Sequence, residues 1–222
     1  MTTITLVGAR GGQGTSTVAA ALALHAADDL PTVLLTHDPT AMARLLGTTG
    51  AIPAPPEPFA VGPTLTVASL DGPKQTVTII DAGHAEQAAA RLPVDGRRYA
   101  VVRGPCYLAL ATLVSHPDLR PDGVILVAEP GRALSAADTS AVLGVPVVAT
   151  VPVRPSIARL IDAGLLAGRP DEIPGLDLLS HSLVHGVDPT PATASHPIHR
   201  AQPGIARHGA DRSITHSWGH ER

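Results

Sequence analysis

The sequence predicts an α/β fold: a mostly parallel, twisted sheet with helices on both faces. Short Val- and Ile-rich runs alternate along the chain with Ala- and Leu-rich stretches of helical spacing. Few of those runs alternate apolar with polar residues, as expected of strands covered on both sides. Aromatic residues make up only 2% of the 222 residues while 44% are hydrophobic, so the core must be built from Val, Leu, Ile and Ala.

Taken in order, the expected strands are Thr3–Val7, Val33–Leu35, Thr64–Ala68, Val77–Ile80, Tyr99–Arg103, Gly123–Ala128 and Pro146–Thr150. Each is β-branched or aliphatic and is bounded by Gly, Pro, Asp or Thr. Between them, Thr17–Ala27, His84–Leu92, Tyr107–Val114, Ala136–Leu143 and Ser156–Leu166 carry helical spacing of Ala and Leu. Such alternation gives right-handed crossovers and a parallel sheet.

Two stretches break the pattern. Ala51 to Pro63 is rich in proline and is expected to be an exposed loop, because proline removes a donor and blocks helix continuation. From His181 the apolar periodicity ends, and seven of the eleven histidines lie from there onward. Residues 1–180 are therefore expected to be one domain and 181–222 a flexible His- and Pro-rich tail, too poor in large apolar groups to offset its ordering entropy. The pairs His196/His199 and His216/His220 offer imidazoles but no carboxylate at fixed spacing, which speaks against a metal site.

Composition bounds the function. A net charge of −3 argues against a globally basic nucleic-acid binder. A single cysteine, Cys106, excludes an intrachain disulfide and reads as a small buried hydrophobe. No apolar run reaches the roughly 20 residues of a membrane span. The N-terminal apolar run lacks a basic leader and reads as a first strand rather than a signal peptide. The expectation is a soluble, cytoplasmic protein.

The stretch carrying chemistry is Gly8 to Leu24, "GARGGQGTSTVAAALAL". A glycine-rich turn between a strand and a helix places backbone N–H groups around an anion, and the helix N-terminus adds its dipole. Ser16 stands where a phosphate loop puts a hydroxyl on magnesium, but Thr15 occupies the lysine position and Ala9 that of the first glycine. Asp81, after the strand Val77–Ile80, is placed to hold magnesium, although a strand-end turn residue is the plainer reading. Asp38 before Pro39 reads equally as a helix cap. His84 reads as a solvent-facing residue at a helix start.

The loop resembles the deviant Walker A loop of the ParA/MinD family, in which a lysine precedes paired glycines. Arg10 sits at that early lysine, Gly11, Gly12, Gly14 and Ser16 match, and Thr15 replaces the late lysine. The likeness is greatest to the CpaE/TadZ branch associated with pilus assembly. It extends through Val33–Gly47, with Asp38-Pro39 kept and Thr36 at an acidic position linked to water activation. It continues through Val77–Gly83, with Asp81 as the Walker B carboxylate, and Leu143–Leu166, which flanks the adenine pocket. The resemblance implies ATP or ADP with magnesium, held by Arg10, Gly11, Gly12, Gln13, Gly14, Thr15, Ser16, Thr17, Val151 and Pro152, with Ser16, Asp81 and Asp38 on the metal. The adenine-reading Asn of several relatives is not evident; Glu129 stands nearby, where a carboxylate would accept from a guanine edge.

Losing the late ammonium costs about 3 kcal/mol or more at a phosphoryl-transfer centre, a hundredfold or greater in rate. Binding suffers less, since amides, Ser16, Asp81 and the dipole remain. The family reading is thus a nucleotide-binding positioning or assembly protein that dimerises under nucleotide control, engages a protein partner, and hydrolyses ATP weakly or not at all. The alternatives are a nucleotide-free scaffold of the same fold at a pilus or secretion machine or a cell pole, and an ATP-dependent ligase-type enzyme. Arg91, Arg97, Arg98, Arg154 and Arg159 would have to converge for a DNA-binding role.

Overall fold

The computed structural model describes residues 1–48, 58–88 and 95–187. Eight strands form one sheet in the order β3-β4-β2-β5-β1-β6-β7-β8. They are β1 (Thr2–Gly8), β2 (Thr32–Thr36), β3 (Phe59–Val61), β4 (Leu65–Ser69), β5 (Val77–His84), β6 (Arg97–Gly104), β7 (Gly123–Ala128) and β8 (Val147–Pro152). Every pairing is parallel except β3 with β4. The helices are α1 (Thr15–Asp29), α2 (Pro39–Leu46), α3 (Ala85–Ala88), α4 (Tyr107–Ser115), α5 (Ala136–Leu143), α6 (Pro155–Asp162) and α7 (Asp177–Val184).

Both faces of the sheet are covered, as the lack of alternation predicts. One core joins Ile4, Leu34 and Ile79 to residues of α1, α2, α6 and α7. The other joins Val33, Ile80 and Val102 to residues of α3 and α4, with α5 packed at its margin. Helix α1 is buried from Val18 through Ala27 without a break. A helix enclosed on all sides needs small apolar residues all round, which is what its alanines supply. Removing a large side chain there, such as Leu22 at 0% exposure, costs about 2–5 kcal/mol.

Several expectations need correction. Helix α1 starts at Thr15 rather than Thr17, and α6 stops at Asp162, before a separate 3₁₀ turn at Leu166–Gly168. The expected loop from Ala51 to Pro63 contains β3, whose Phe59 is buried and pairs with Val67; residues 51–57 lie outside the described residues. His84 ends β5 instead of opening a helix, and the rest of the expected helix to Leu92 lies largely outside the described residues. Cys106 is half-buried at the N-cap of α4 rather than enclosed. Helix α7 runs past residue 180, with Leu183 at 2% exposure in the core, so ordered chain extends beyond the expected domain edge. The tail histidines His196, His199, His216 and His220 lie outside the described residues.

Among the described residues no helix is long and apolar enough to cross a membrane. Of the arginines proposed for a basic face, Arg97 and Arg98 do not converge with Arg154. Arg97 and Arg98 begin β6, whereas Arg154 follows the end of β8, at the opposite edge of parallel strands. Arg91 lies outside the described residues.

Candidate functional site

The sheet is parallel around its centre, so the C-terminal ends of β1, β2, β5, β6, β7 and β8 share one edge. Open α/β sheets bind ligands at that edge. The glycine loop leaves it between β1 and α1. Its start is fixed by the N–H of Ala9 donating to the Val101 carbonyl at 3.0 Å. Its end is fixed by the N–H of Val18 donating to the Gly14 carbonyl at 2.9 Å, the first bond of α1.

Between these anchors the backbone needs glycine. Gly12 and Gly14 have φ of 77° and 84°, the left-handed region that side chains disfavour. A Cβ added at Gly11 or Gly12 would meet nothing within 4 Å, and at Gly14 only Val127 at 4.0 Å. The turn therefore opens onto free space. Helix α1 has no side-chain cap on its first N–H groups. Among the described residues no hydrogen bond outside the regular elements takes up the N–H groups from Gly11 to Thr17. Orphaned donors at a helix start, next to open space, make an anion cradle. Arg10 and Ser16 are exposed beside it.

Gln13 ties the loop to the neighbouring strand. Its Oε1 accepts the N–H of Arg103 at the end of β6, at 2.7 Å. Gln13, Gly14 and Thr17 line a cleft of about 170 Å³ together with Val127, Val151 and Pro152. The cleft is mostly apolar, with Ile157 and Ile173 also in its lining. That is below the roughly 300–1,000 Å³ of a site enclosing a drug-sized ligand, so it fits one part of a ligand, such as a base. Of the residues named from the sequence, Gln13, Gly14 and Thr17 of the loop and helix start thus meet Val151 and Pro152 at the end of β8.

Glu129 does not serve this cleft as a free carboxylate. Arg103 Nε donates to its Oε1 at 2.6 Å, and Arg132 donates to its Oε2. These hydrogen bonds, Arg132 first and Arg103 second, hold the Glu129 pKa below its ordinary value. The expectation that it reads a guanine edge is withdrawn, because two guanidinium groups already occupy it.

The other named residues sit on the far side of the loop. Asp81 is 4% exposed near the end of β5, with Oδ1 accepting the Gly83 N–H at 3.2 Å. Thr36, also 4% exposed, lies opposite it in register on β2. Thr15 is 7% exposed; its Oγ1 lies so close to Gly8 that any Cβ there would strike it, and that Cβ would also stand 3.3 Å from the Gly83 carbonyl. A short hydroxyl side chain therefore fills the root of the loop where a lysine would leave it. Asp38 is exposed, and its Oδ1 accepts the Ala41 N–H at 2.8 Å, with Pro39 at the first turn of α2. Asp38 thus caps α2, as Asp before Pro leads one to expect. Among the described residues no cluster of three or more His, Cys, Asp or Glu forms a metal centre.

Sheet order, glycine loop and C-terminal edge together define a P-loop fold of the MinD/ParA ATPase type. Solved structures bear this out. The chain is similar to the septum site-determining protein MinD complexed with Mg-ADP from Pyrococcus horikoshii, at TM-score 0.64 and 16% identity over 84% of this chain and 96% of that one. It is similar to the MinC:MinD cell division complex of Aquifex aeolicus, at TM-score 0.63 and 16% identity over 83% and 93%. A ParA family ATPase from Chlorobium tepidum aligns at TM-score 0.61 and 12% identity over 83% and 98%. No family model matches the sequence, and no curated protein matches it either.

Proposed function

We propose that the chain is a MinD/ParA-like nucleotide-binding protein whose bound nucleotide controls dimerisation and the engagement of a protein partner, with hydrolysis slow or absent. One observation carries this reading: an open, glycine-built cradle of free N–H groups runs into an apolar cleft bounded by Val151 and Pro152. Polyphosphate needs the first and a base the second. Relatives of this fold are known in complex with Mg-ADP and with a partner protein, which supports the same use here.

In this reading Gly11 to Thr17 hold the phosphates through main-chain amides, and Ser16 and Asp81 hold magnesium, directly or through water. Magnesium would screen phosphate charge there. Arg10, exposed at the loop, supplies a planar guanidinium able to grip a phosphate oxygen pair, its own or a second protomer's. Slow hydrolysis follows from Thr15 and Thr36. Neither is charged, so neither supplies an ammonium for the transferring phosphoryl group or a carboxylate for water.

The test is titration of the purified protein with a fluorescent ATP analogue and magnesium, with the molecular mass followed by light scattering. Saturable binding and a doubled mass support the proposal. No binding at high micromolar concentration overturns it. The neutral Thr15 and Thr36 favour one second reading, a nucleotide-free scaffold of the same fold. Under that reading Ser16→Ala and Gly14→Val leave oligomeric state and localisation unchanged, whereas under the first they abolish nucleotide-dependent assembly.

A further inference from the structure

We propose that Thr36 is a positioning residue that aims the Asp81 carboxylate, and that its hydroxyl sets the magnesium dependence of nucleotide binding. The inference deepens the nucleotide reading above and rests on it.

The Thr36 hydroxyl has a single proton to donate, and its neighbours decide where it points. The Thr36 Oγ1 accepts the main-chain N–H of Asp38 at 3.4 Å. With that side of the oxygen engaged, the single hydroxyl proton is available to Asp81 Oδ2, 3.5 Å away. The other carboxylate oxygen is held by the Gly83 N–H at 3.2 Å. Both residues are 4% exposed, so water cannot readily replace these partners. The two lie side by side in the parallel register of β2 and β5, where the strand direction brings both to the C-terminal edge.

A hydroxyl and a carboxylate differ sharply here. An acidic residue at position 36 would accept the same Asp38 N–H, yet it would set two negative charges side by side in a buried strand pair. Threonine instead donates to Asp81 Oδ2, so the carboxylate is oriented with no second anion beside it. At 3.5 Å and 3.2 Å these contacts are long, and they orient the carboxylate without consuming its remaining lone pairs. Asp81 stays able to accept from a metal-bound water. The same chain of bonds links the first turn of α2 to the metal side of the loop, through Asp38 N–H, Thr36 and Asp81.

The experiment measures the affinity of a fluorescent ADP analogue in magnesium and in EDTA for the full chain, Thr36→Val, Thr36→Ala and Thr36→Ser. The proposal expects the wild type to bind more tightly with magnesium. Thr36→Val is expected to lose about fivefold of that gain, the weight of an ordinary rather than a short charge-assisted hydrogen bond, with the EDTA affinity unchanged. Thr36→Ser is expected to keep the gain. Thr36→Ala reports the same loss should the valine variant fail to fold. A full magnesium gain in the valine or alanine variant overturns the proposal, as does its loss in the serine variant. Equal wild-type affinity in magnesium and EDTA overturns it too, leaving nucleotide binding standing. No wild-type binding in either buffer overturns the nucleotide reading and this inference with it.

Discussion

Gln13 and Arg103 lie ninety residues apart and meet at the mouth of the loop, where the Gln13 Oε1 accepts the Arg103 N–H at 2.7 Å. The contact is a side chain from the turn bonded to the main chain of a central strand. It ties the loop to the end of β6.

Gln13→Ala removes that tie and leaves a strand-end N–H to solvent. An ordinary hydrogen bond contributes about 1 kcal/mol, so nucleotide affinity is expected to fall about fivefold. Thermal stability should change little. Fluorescence titration alongside a melting curve separates the two; an unchanged affinity would remove Gln13 from the site.

Gly8 and Thr15 make a second close approach. A methyl group on Gly8 meets the Thr15 hydroxyl and stands 3.3 Å from the Gly83 carbonyl. Gly8→Ala is expected to destabilise by about 1–3 kcal/mol, the usual cost of overpacking, read by urea denaturation. Thr15→Ala in the same chain should recover part of the loss. If the double variant is no better than the single one, Thr15 does not fill the loop root as described.

The glycine loop and the strands of the parallel sheet are legible in the sequence because each rests on local chemistry, whereas Val151 and Pro152 are named only through the family resemblance. Glycine in the left-handed region, β-branched runs and Asp-Pro at a helix start leave marks within a few residues. Contacts made by tertiary pairing leave none. Strand β3 is three residues long among prolines, and only its antiparallel partner β4 makes it a strand. The Arg103–Glu129–Arg132 group joins β6 to the segment after β7. Thr36 and Asp81 become neighbours only once β2 and β5 are set side by side. Helix α7 interrupts its apolar face with Ser180, His181 and Ser182, so only tertiary packing against the core reveals the spacing of Leu179 and Leu183.

That spacing yields a prediction about the end of the fold. Leu179 and Leu183 are each 2% exposed in the core shared with α1. Leu183→Ala is expected to cost about 2–5 kcal/mol in urea denaturation, as a large-to-small core change does. A chain ending at residue 180 should be destabilised at least as much. If it is as stable as the full chain, α7 does not belong to the folded unit.

Glu129 gives the account a pH dependence. Hydrogen bonds from Arg132 and Arg103 lower its pKa in the folded state. A carboxylate with a depressed folded pKa stabilises fully above its unfolded pKa, about 4.3 for glutamate, and that contribution is lost as pH falls through the folded value. The stability gap between wild type and Glu129→Gln should therefore hold from pH 7 to about pH 5.5, narrow once pH drops below the unfolded value, and close as pH falls through the lower folded one. Urea midpoints across that range check it. A gap that widens on acidification would have the wrong sign.

The most direct measurement is a crystal structure grown with magnesium and a non-hydrolysable ATP analogue. The account predicts phosphates seated against the N–H groups of Gly11 to Thr17, a base between Gln13 and Pro152, and the metal facing Ser16 and Asp81. A turn closed by side chains, or one that stays empty at saturating analogue, would contradict it.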